Sequence, residues 1–354
     1  MVEWKKLGEI SNRNKGIPIT AGQMSELATP NGNVRVFAAG QTIADINEAD
    51  LPTNCAHKQP SVIVKSRGYI DFEFYEKPFT HKNEMWSYSF EDKETGRFVY
   101  YYLTTKTDFF RKKAKANSVK LPQLCVADTD NYLIPIPSLE EQTRIVGILD
   151  TFTSAIDNLK EQIAQRRKQY EYYRDQFLDL EGKEGVEMKT LGEILILKKG
   201  EYITKKEAIE GIYPVILGGK EPAYFINRYN HVGKAIVISR SGASAGYVSF
   251  WNEPIFVTDG FLIEPQNNVT IEFLYYILKN KQRDLHGAQK GGAIPHITPT
   301  LIRALIVAVP PLREQQRIVS ILDTFEASIA NLEAQLKQRE KQYEYYRNKL
   351  LTFD

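Results

Sequence analysis

The residues of this chain best equipped for chemistry are basic and polar side chains set in glycine-containing loops. Arg240-Ser241-Gly242-Ala243-Ser244-Ala245-Gly246 offers a cation, two hydroxyls and backbone that can approach closely at its glycines. Such a loop can bond phosphates or base edges, and it can equally be a plain tight turn. Arg111-Lys112-Lys113-Ala114-Lys115 and Gln289-Lys290-Gly291-Gly292 are basic. Each reads either as a solvated charged end or as a place where phosphate contact releases counterions. His81-Lys82-Asn83 could present further donors. The candidate nucleic-acid contacts are therefore Lys65, Arg67, Lys82, Asn83, Lys113, Lys115, Lys220, Arg240, Ser241, Ser244, Lys290 and His296.

Catalytic constellations are missing from the sequence. Methyl transfer from S-adenosylmethionine would need a glycine-rich cofactor loop and an Asn/Asp-Pro-Pro-aromatic motif; Pro310-Pro311 lies between Val309 and Leu312 instead. Gly218-Gly219-Lys220 is followed by Glu221, so it is not a phosphate-binding Gly-Lys-Ser/Thr loop. His57, His81, His231, His286 and His296 lack zinc-ligand spacing. Cys55 and Cys125 are too few for a disulfide framework. No cofactor, no metal and no catalytic residue is expected. With no apolar run near the ~20 residues that span a bilayer and no secretory stretch at the N-terminus, a cytoplasmic location is the expectation.

These loops need a frame, and internal repetition supplies it. The chain has 354 residues, 42% hydrophobic and 25% charged, with a net charge of +2. The basic excess lies in the stretches outside the long helices: 18 basic against 16 acidic residues over 1–135, and 14 against 11 over 185–309. Val2-Glu3-Trp4-Lys5-Lys6-Leu7-Gly8-Glu9-Ile10 recurs as Val186-Glu187-Met188-Lys189-Thr190-Leu191-Gly192-Glu193-Ile194. Glu141-Gln142-Thr143-Arg144-Ile145-Val146 recurs as Glu314-Gln315-Gln316-Arg317-Ile318-Val319, and Lys168-Gln169-Tyr170-Glu171-Tyr172-Tyr173-Arg174 recurs from Lys341 to Arg347. Each half is a variable segment followed by a nearly copied one, which suggests a common frame carrying two different readers.

The copied segments are long helices. Apolar positions alternate by four and three at Ile145, Leu149, Phe152, Ile156, Leu159, Ile163, Tyr170 and Tyr173. The second copy gives Ile318, Leu322, Phe325, Ile329, Leu332, Leu336, Tyr343 and Tyr346. This is a heptad seam, and a helix from about 141 to 178 would be roughly 55 Å long. Each seam needs a partner, and the other copy is the obvious one; chain length allows parallel or antiparallel pairing. Arg166 and Arg339 interrupt the seams, either packing their stems and snorkelling or setting the register. The tyrosines are expected to pack.

The variable stretches, about 11–135 and 195–308, read as mixed and rich in β-structure. Short β-branched runs alternate with turns: Val34–Phe37, Ser61–Lys65, Tyr69–Phe74, Pro214–Leu217, Ala235–Ser239, Tyr247–Phe250 and Ile255–Thr258. Helical candidates follow at Arg97–Lys113 and Ile271–Arg283. Three weak correspondences persist: Val62–Gly68 with Ile236–Gly242, Tyr100–Leu103 with Leu274–Ile277, and Lys120–Gln123 with Ala293–His296.

The ensemble resembles the specificity subunits of type I restriction-modification systems. Leu7-Gly8-Glu9-Ile10 and Leu191-Gly192-Glu193-Ile194 carry the likeness. So do Ile134-Pro135-Ile136-Pro137-Ser138-Leu139-Glu140-Glu141-Gln142-Thr143-Arg144-Ile145 and Val309-Pro310-Pro311-Leu312-Arg313-Glu314-Gln315-Gln316-Arg317-Ile318. The resemblance implies an α+β chain: two β-rich target recognition domains joined by two long helices in an antiparallel coiled coil, an internal repeat with a pseudo-twofold axis. The division expected is 1–135, first recognition domain; 136–184, central helix and linker; 185–309, second recognition domain; 310–354, distal helix. The implied partners are double-stranded DNA with a two-part site, two methyltransferase subunits and, in the full complex, restriction subunits, with no membrane. Chemistry would then reside in the partner subunits. The rival expectation is a coiled-coil scaffold that binds proteins but not DNA.

Overall fold

The structure is a computed structural model that describes residues 2–118, 120–217, 219, 221–287 and 295–353. It divides into two compact units: Met1–Lys160 with Gln335–Asp354, and Glu161–Ala334. Each contains one variable segment and portions of both long helices.

In the first unit, a four-stranded antiparallel sheet runs in the order Asn12–Lys15, Trp86–Ser89, Ser61–Lys65, Asp71–Tyr75. A three-stranded sheet runs Ile43–Ile46, Val34–Phe37, Phe79–His81, its last pair parallel. Glu3–Lys6 pairs with Leu133–Ile136, tying the chain start to the residues just before the first long helix. The second unit has the same plan. Leu195–Lys199, Gly260–Pro265, Lys234–Ser239 and Val248–Asn252 form its four-stranded sheet. Tyr224–Ile226, Tyr213–Ile216 and Phe256–Val257 form the three-stranded one, again with a parallel last pair. Glu187–Thr190 pairs with Ile306–Val309. Two stretches of little sequence likeness thus share one topology, and their central strands Ser61–Lys65 and Lys234–Ser239 both bury a β-branched run, Val62-Ile63-Val64 and Ile236-Val237-Ile238.

A helix covers each four-stranded sheet. The sequence predicts one helix over Arg97–Lys113; the structure divides it at Lys106 into Lys93–Thr105 and Thr107–Asn117. The hydroxyls of Thr104, Thr105 and Thr107 bond back to the carbonyls of Tyr101, Tyr102 and Thr104, competing with the helical ladder. Ile271–Arg283 likewise divides at Lys281 into Ile271–Asn280 and Gln282–Gly287. Asp92 and Thr270 cap these helices, accepting from the backbone of Thr95 and Phe273. The structure corrects one register: Tyr101 plays the part of Tyr276, so the match of Tyr100–Leu103 to Leu274–Ile277 slips by one residue. Tyr101 and Tyr276 each donate to the aspartate of the copied Ile-Leu-Asp-Thr-Phe run, Asp150 and Asp323.

The long helices are Leu139–Leu178 and Leu312–Leu350. In the first unit Phe152 stacks on Tyr346 at 5.3 Å, so the start of one helix lies against the end of the other. In the second unit Tyr173 stacks on Phe325 at 5.5 Å, and Arg167 pairs with Glu333 at 2.5 Å. The pairing is antiparallel in both units. Ile145 and Leu149, and their copies Ile318 and Leu322, are fully buried in the cores of the variable segments, each burial contributing about 2 kcal/mol. Further along, Ile156 and Ile163 are buried, while Leu159, Ile329, Leu332 and Leu336 are half-buried, as befits a narrow two-helix seam.

Tyr173 and Tyr346 pack across the seam by one face only. They stay 39% and 41% exposed, each with one face on a phenylalanine of the other helix and an edge in water. The two seam arginines do the same thing as each other. Arg166 sits over Phe325 at 5.9 Å and Arg339 over Phe152 at 5.8 Å. Each cation keeps its seam position by lying on an aromatic face of the opposite helix.

Candidate nucleic-acid interface

In the first unit the strand Ser61–Lys65 runs into a turn at Ser66-Arg67-Gly68. Ser66 is buried and its hydroxyl bonds the Glu84 carbonyl, which ties in the Lys82-Asn83 loop. Gly68 adopts φ +74°, a conformation that favours glycine. The Leu124 N–H donates to the Ser66 carbonyl and the Gly68 N–H to the Pro122 carbonyl, both at 2.8 Å. These bonds flank an antiparallel bridge between Arg67 and Gln123. Gln123 is anchored in turn to the helix Thr107–Asn117: its N–H donates to Ala114 and its carbonyl accepts from the Asn117 side chain, both at 3.1 Å.

The second unit repeats this construction. The Ile297 N–H donates to the Arg240 carbonyl at 2.9 Å, the Gly242 N–H to the Pro295 carbonyl at 3.0 Å, and Ser241 bridges His296. Gly242 and Gly246 both have φ near +80°. A Cβ on Gly246 would stand 3.0 Å from the backbone of Leu285, so the turn packs directly on the helix Gln282–Gly287. Here the loop is neutralised internally. Arg240 Nε meets Asp259 Oδ1 at 2.7 Å, and the Ser241 hydroxyl donates to the other oxygen of that carboxylate.

The sequence candidates fall into three groups. Arg67, Asn83, Lys115 and His296 are exposed. Lys113 is exposed with Asp128 3.8 Å away, and Ser244 is half-buried in its turn. Lys65, Lys82, Arg240 and Ser241 are engaged: Lys65 with Glu73 at 2.7 Å, Lys82 with Glu84 at 3.1 Å, and Arg240 and Ser241 with Asp259. Lys65 keeps only 14% of its side chain exposed. Lys220 and Lys290 lie outside the described residues. The structure gathers Arg67, the Lys82-Asn83 loop and the basic helix end around one turn, and places Arg240, Ser241 and His296 around its counterpart. Gln123 is the residue that its type alone does not single out. Its signal is the correspondence of Lys120–Gln123 with Ala293–His296, which puts Gln123 where His296 stands.

Beside this face in the first unit lies a buried imidazole. His81 is fully buried, 5.6 Å from His57 ring to ring, and 3.2 Å from the Ser87 hydroxyl. Burial, and then the neighbouring His57, push its pKa down to about 4. Among the described residues, no group of three His, Cys, Asp or Glu side chains is placed to hold a metal ion, and no helix is long and apolar enough to cross a membrane.

Two segments of one topology, each packed on an antiparallel helix pair and each presenting the same bridged loops, define an internally duplicated protein. The chain matches the family described as type I restriction modification DNA specificity domain over residues 1–166 and 183–341. It is 30% identical to a putative type I restriction enzyme specificity subunit of Haemophilus influenzae, covering 99% of this chain and 96% of that one. It is 29% identical to the EcoR124I/EcoR124II specificity subunit of Escherichia coli, over 99% and 94%. The crystal structure of a type I restriction-modification S subunit from M. genitalium superposes with a TM-score of 0.74 at 20% identity, covering 100% of this chain and 96% of that one. The chain belongs to the type I restriction-modification DNA specificity family.

Proposed function

We infer that this chain is the DNA-specificity subunit of a type I restriction-modification complex. It reads a two-part site on double-stranded DNA, one part with each variable segment, and positions two methyltransferase subunits there, with restriction subunits in the full assembly. The observation that carries this reading is the duplication itself. The family match covers both halves, and each half holds a different set of side chains on the same pair of bridged loops. The recognition domains would be residues 1–135 and 185–309, and the helical segments 136–184 and 310–354 their shared frame. The chain is read as non-catalytic, with methyl transfer and cleavage belonging to its partners.

The test is an exchange. Replacing residues 11–135 by the equivalent segment of a relative with a different target should change one half of the methylated site and leave the other half as it was. A change in both halves would sink the idea of independent readers. A protein scaffold without DNA affinity would give no site-specific methylation with either segment. It would also show none of the steep salt dependence that phosphate contacts impose.

A further inference from the structure

The bridged loops specify more than a surface. Residues directly opposite one another in an antiparallel pair project their side chains to the same side, with Cβ atoms about 5 Å apart. Arg67 and Gln123 form such a pair, and both are exposed. Their backbones are held on both flanks, by the bonds to Ser66, Pro122, Ala114 and Asn117. Rigid backbone with long exposed side chains is what base reading needs. Arginine bonds guanine O6 and N7 with two parallel donors, and glutamine bonds adenine N6 and N7 as donor and acceptor. Bases stack about 3.4 Å apart along a strand, so two side chains that start about 5 Å apart and taper inward reach neighbouring base pairs.

The second unit differs in a way that assigns its roles. The residue in the place of Arg67 is Ser241, whose hydroxyl already donates to Asp259, and the adjacent Arg240 uses its Nε on the same carboxylate. The exposed member of that bridge is His296. Lys65 and Lys82, paired with Glu73 and Glu84, are poorly placed to compete as readers.

We propose that the two bridges are the base-reading elements of this chain. Arg67 and Gln123 read a guanine and the neighbouring adenine in one half-site, and His296 reads one base pair in the other. The proposal rests on the reading of the chain as a DNA-specificity subunit. It is tested by mapping methylated sites in cells that express the full chain, or a variant, with its methyltransferase subunits. Gln123→Ala should lower discrimination at one position of one half-site by about tenfold or more, and Arg67→Ala should do so at the adjacent position. His296→Ala should relax one position of the other half-site only. Gln123→Glu keeps the size of the side chain but can only accept hydrogen bonds, so the preference at that position should move from adenine towards cytosine. Melting of the purified variants identifies any that unfold, and Gln123→Glu serves where the alanine variant does. Folded variants that keep the parent motif at all positions, or lose methylation evenly across sites, would overturn the proposal while leaving the specificity-subunit reading intact. A parent chain that directs no two-part motif would overturn both.

Discussion

The two junctions between variable segment and long helix are built from copied helices and uncopied sockets. At the first, Asp150 accepts from the Tyr101 hydroxyl at 2.5 Å and from Arg97 Nε at 2.7 Å. At the second, Asp323 accepts from the Tyr276 hydroxyl at 2.6 Å, but the residue before the shared phenylalanine is Glu272, not Arg97, and it turns away to Lys234 at 2.5 Å. Gln315 bonds the Pro310 and Asn268 carbonyls and accepts from the Thr270 N–H. Its copy Gln142 bonds Pro137, and its Oε1 is buried without a partner. The cause lies in the covering helix, which starts about one turn earlier relative to its phenylalanine in the first unit, so that its capped end is not where Thr270 stands. The Tyr–Asp anchor survives this divergence because it joins an aspartate present in both helix copies to a tyrosine that each unit buries. The neighbouring charges are free to change, and they have.

The largest expected effects break this comparison at its anchor. Asp150→Ala removes two bonds at once, leaving the Arg97 guanidinium only Glu76 at 3.5 Å and the Tyr101 phenol only Thr153 at 3.3 Å, and should cost about 3 kcal/mol; Asp323→Ala removes one bond, from a Tyr276 phenol that also reaches Glu326, and should cost about 1–2 kcal/mol. Denaturant unfolding followed by Trp86 for the first unit and Trp251 for the second reads both, and equal losses would refute the asymmetry. A pH effect of similar size is confined to the first unit. The folded-state pKa of His81 lies below its unfolded value, so the stability it confers is full above about pH 6.5 and is lost as pH falls towards 4. The loss should reach about 3 kcal/mol, and His81→Gln should flatten that part of the profile. An unchanged profile in the variant would mean that His57, whose pKa burial also lowers, and the carboxylates govern acid unfolding instead. Smaller again is the glutamine pair. Gln315→Leu removes three hydrogen bonds and should cost about 2 kcal/mol, whereas Gln142→Leu removes one, relieves an unpartnered oxygen and should cost under about 1 kcal/mol.

The architecture was legible because it rests on repetition and period. The copied Glu-Gln-x-Arg-Ile starts and the alternating seam place both helices within two residues of Leu139–Leu178 and Leu312–Leu350. Antiparallel direction came from the family resemblance, since neither seam contains a direction. The division at Lys106 was not legible, because helical propensity in Arg97–Lys113 looks continuous until the threonine hydroxyls are seen to bond backwards. At the candidate interface, residue type pointed to cations. It could not tell that Lys65 and Arg240 face carboxylates supplied by Glu73 and Asp259 from other strands and loops, or that Lys82 folds onto Glu84 of its own turn. Nor could type find Gln123, whose prominence depends on a bridge between distant loops.

The subtlest contrast lies where the first copy has Thr153 and the second has Glu326. Thr153 Oγ1 lies 3.3 Å from the Tyr101 hydroxyl and carries no charge. Glu326 accepts from the Tyr170 hydroxyl at 2.9 Å, and burial holds its carboxyl above the usual range, with Asp323 adding repulsion. A carboxylate whose folded pKa is raised stabilises the fold in its protonated form. Its contribution is therefore present below the unfolded pKa and is lost as pH rises through the folded one. Glu326→Gln keeps an acceptor for Tyr170 and removes the charge. The second unit should gain a little stability from this change at pH 8 and almost none at pH 4, as Trp251 fluorescence would record. A loss at pH 8 would mean that the ionised carboxylate, through Tyr170 and the neighbouring Lys279, is worth more than its burial costs.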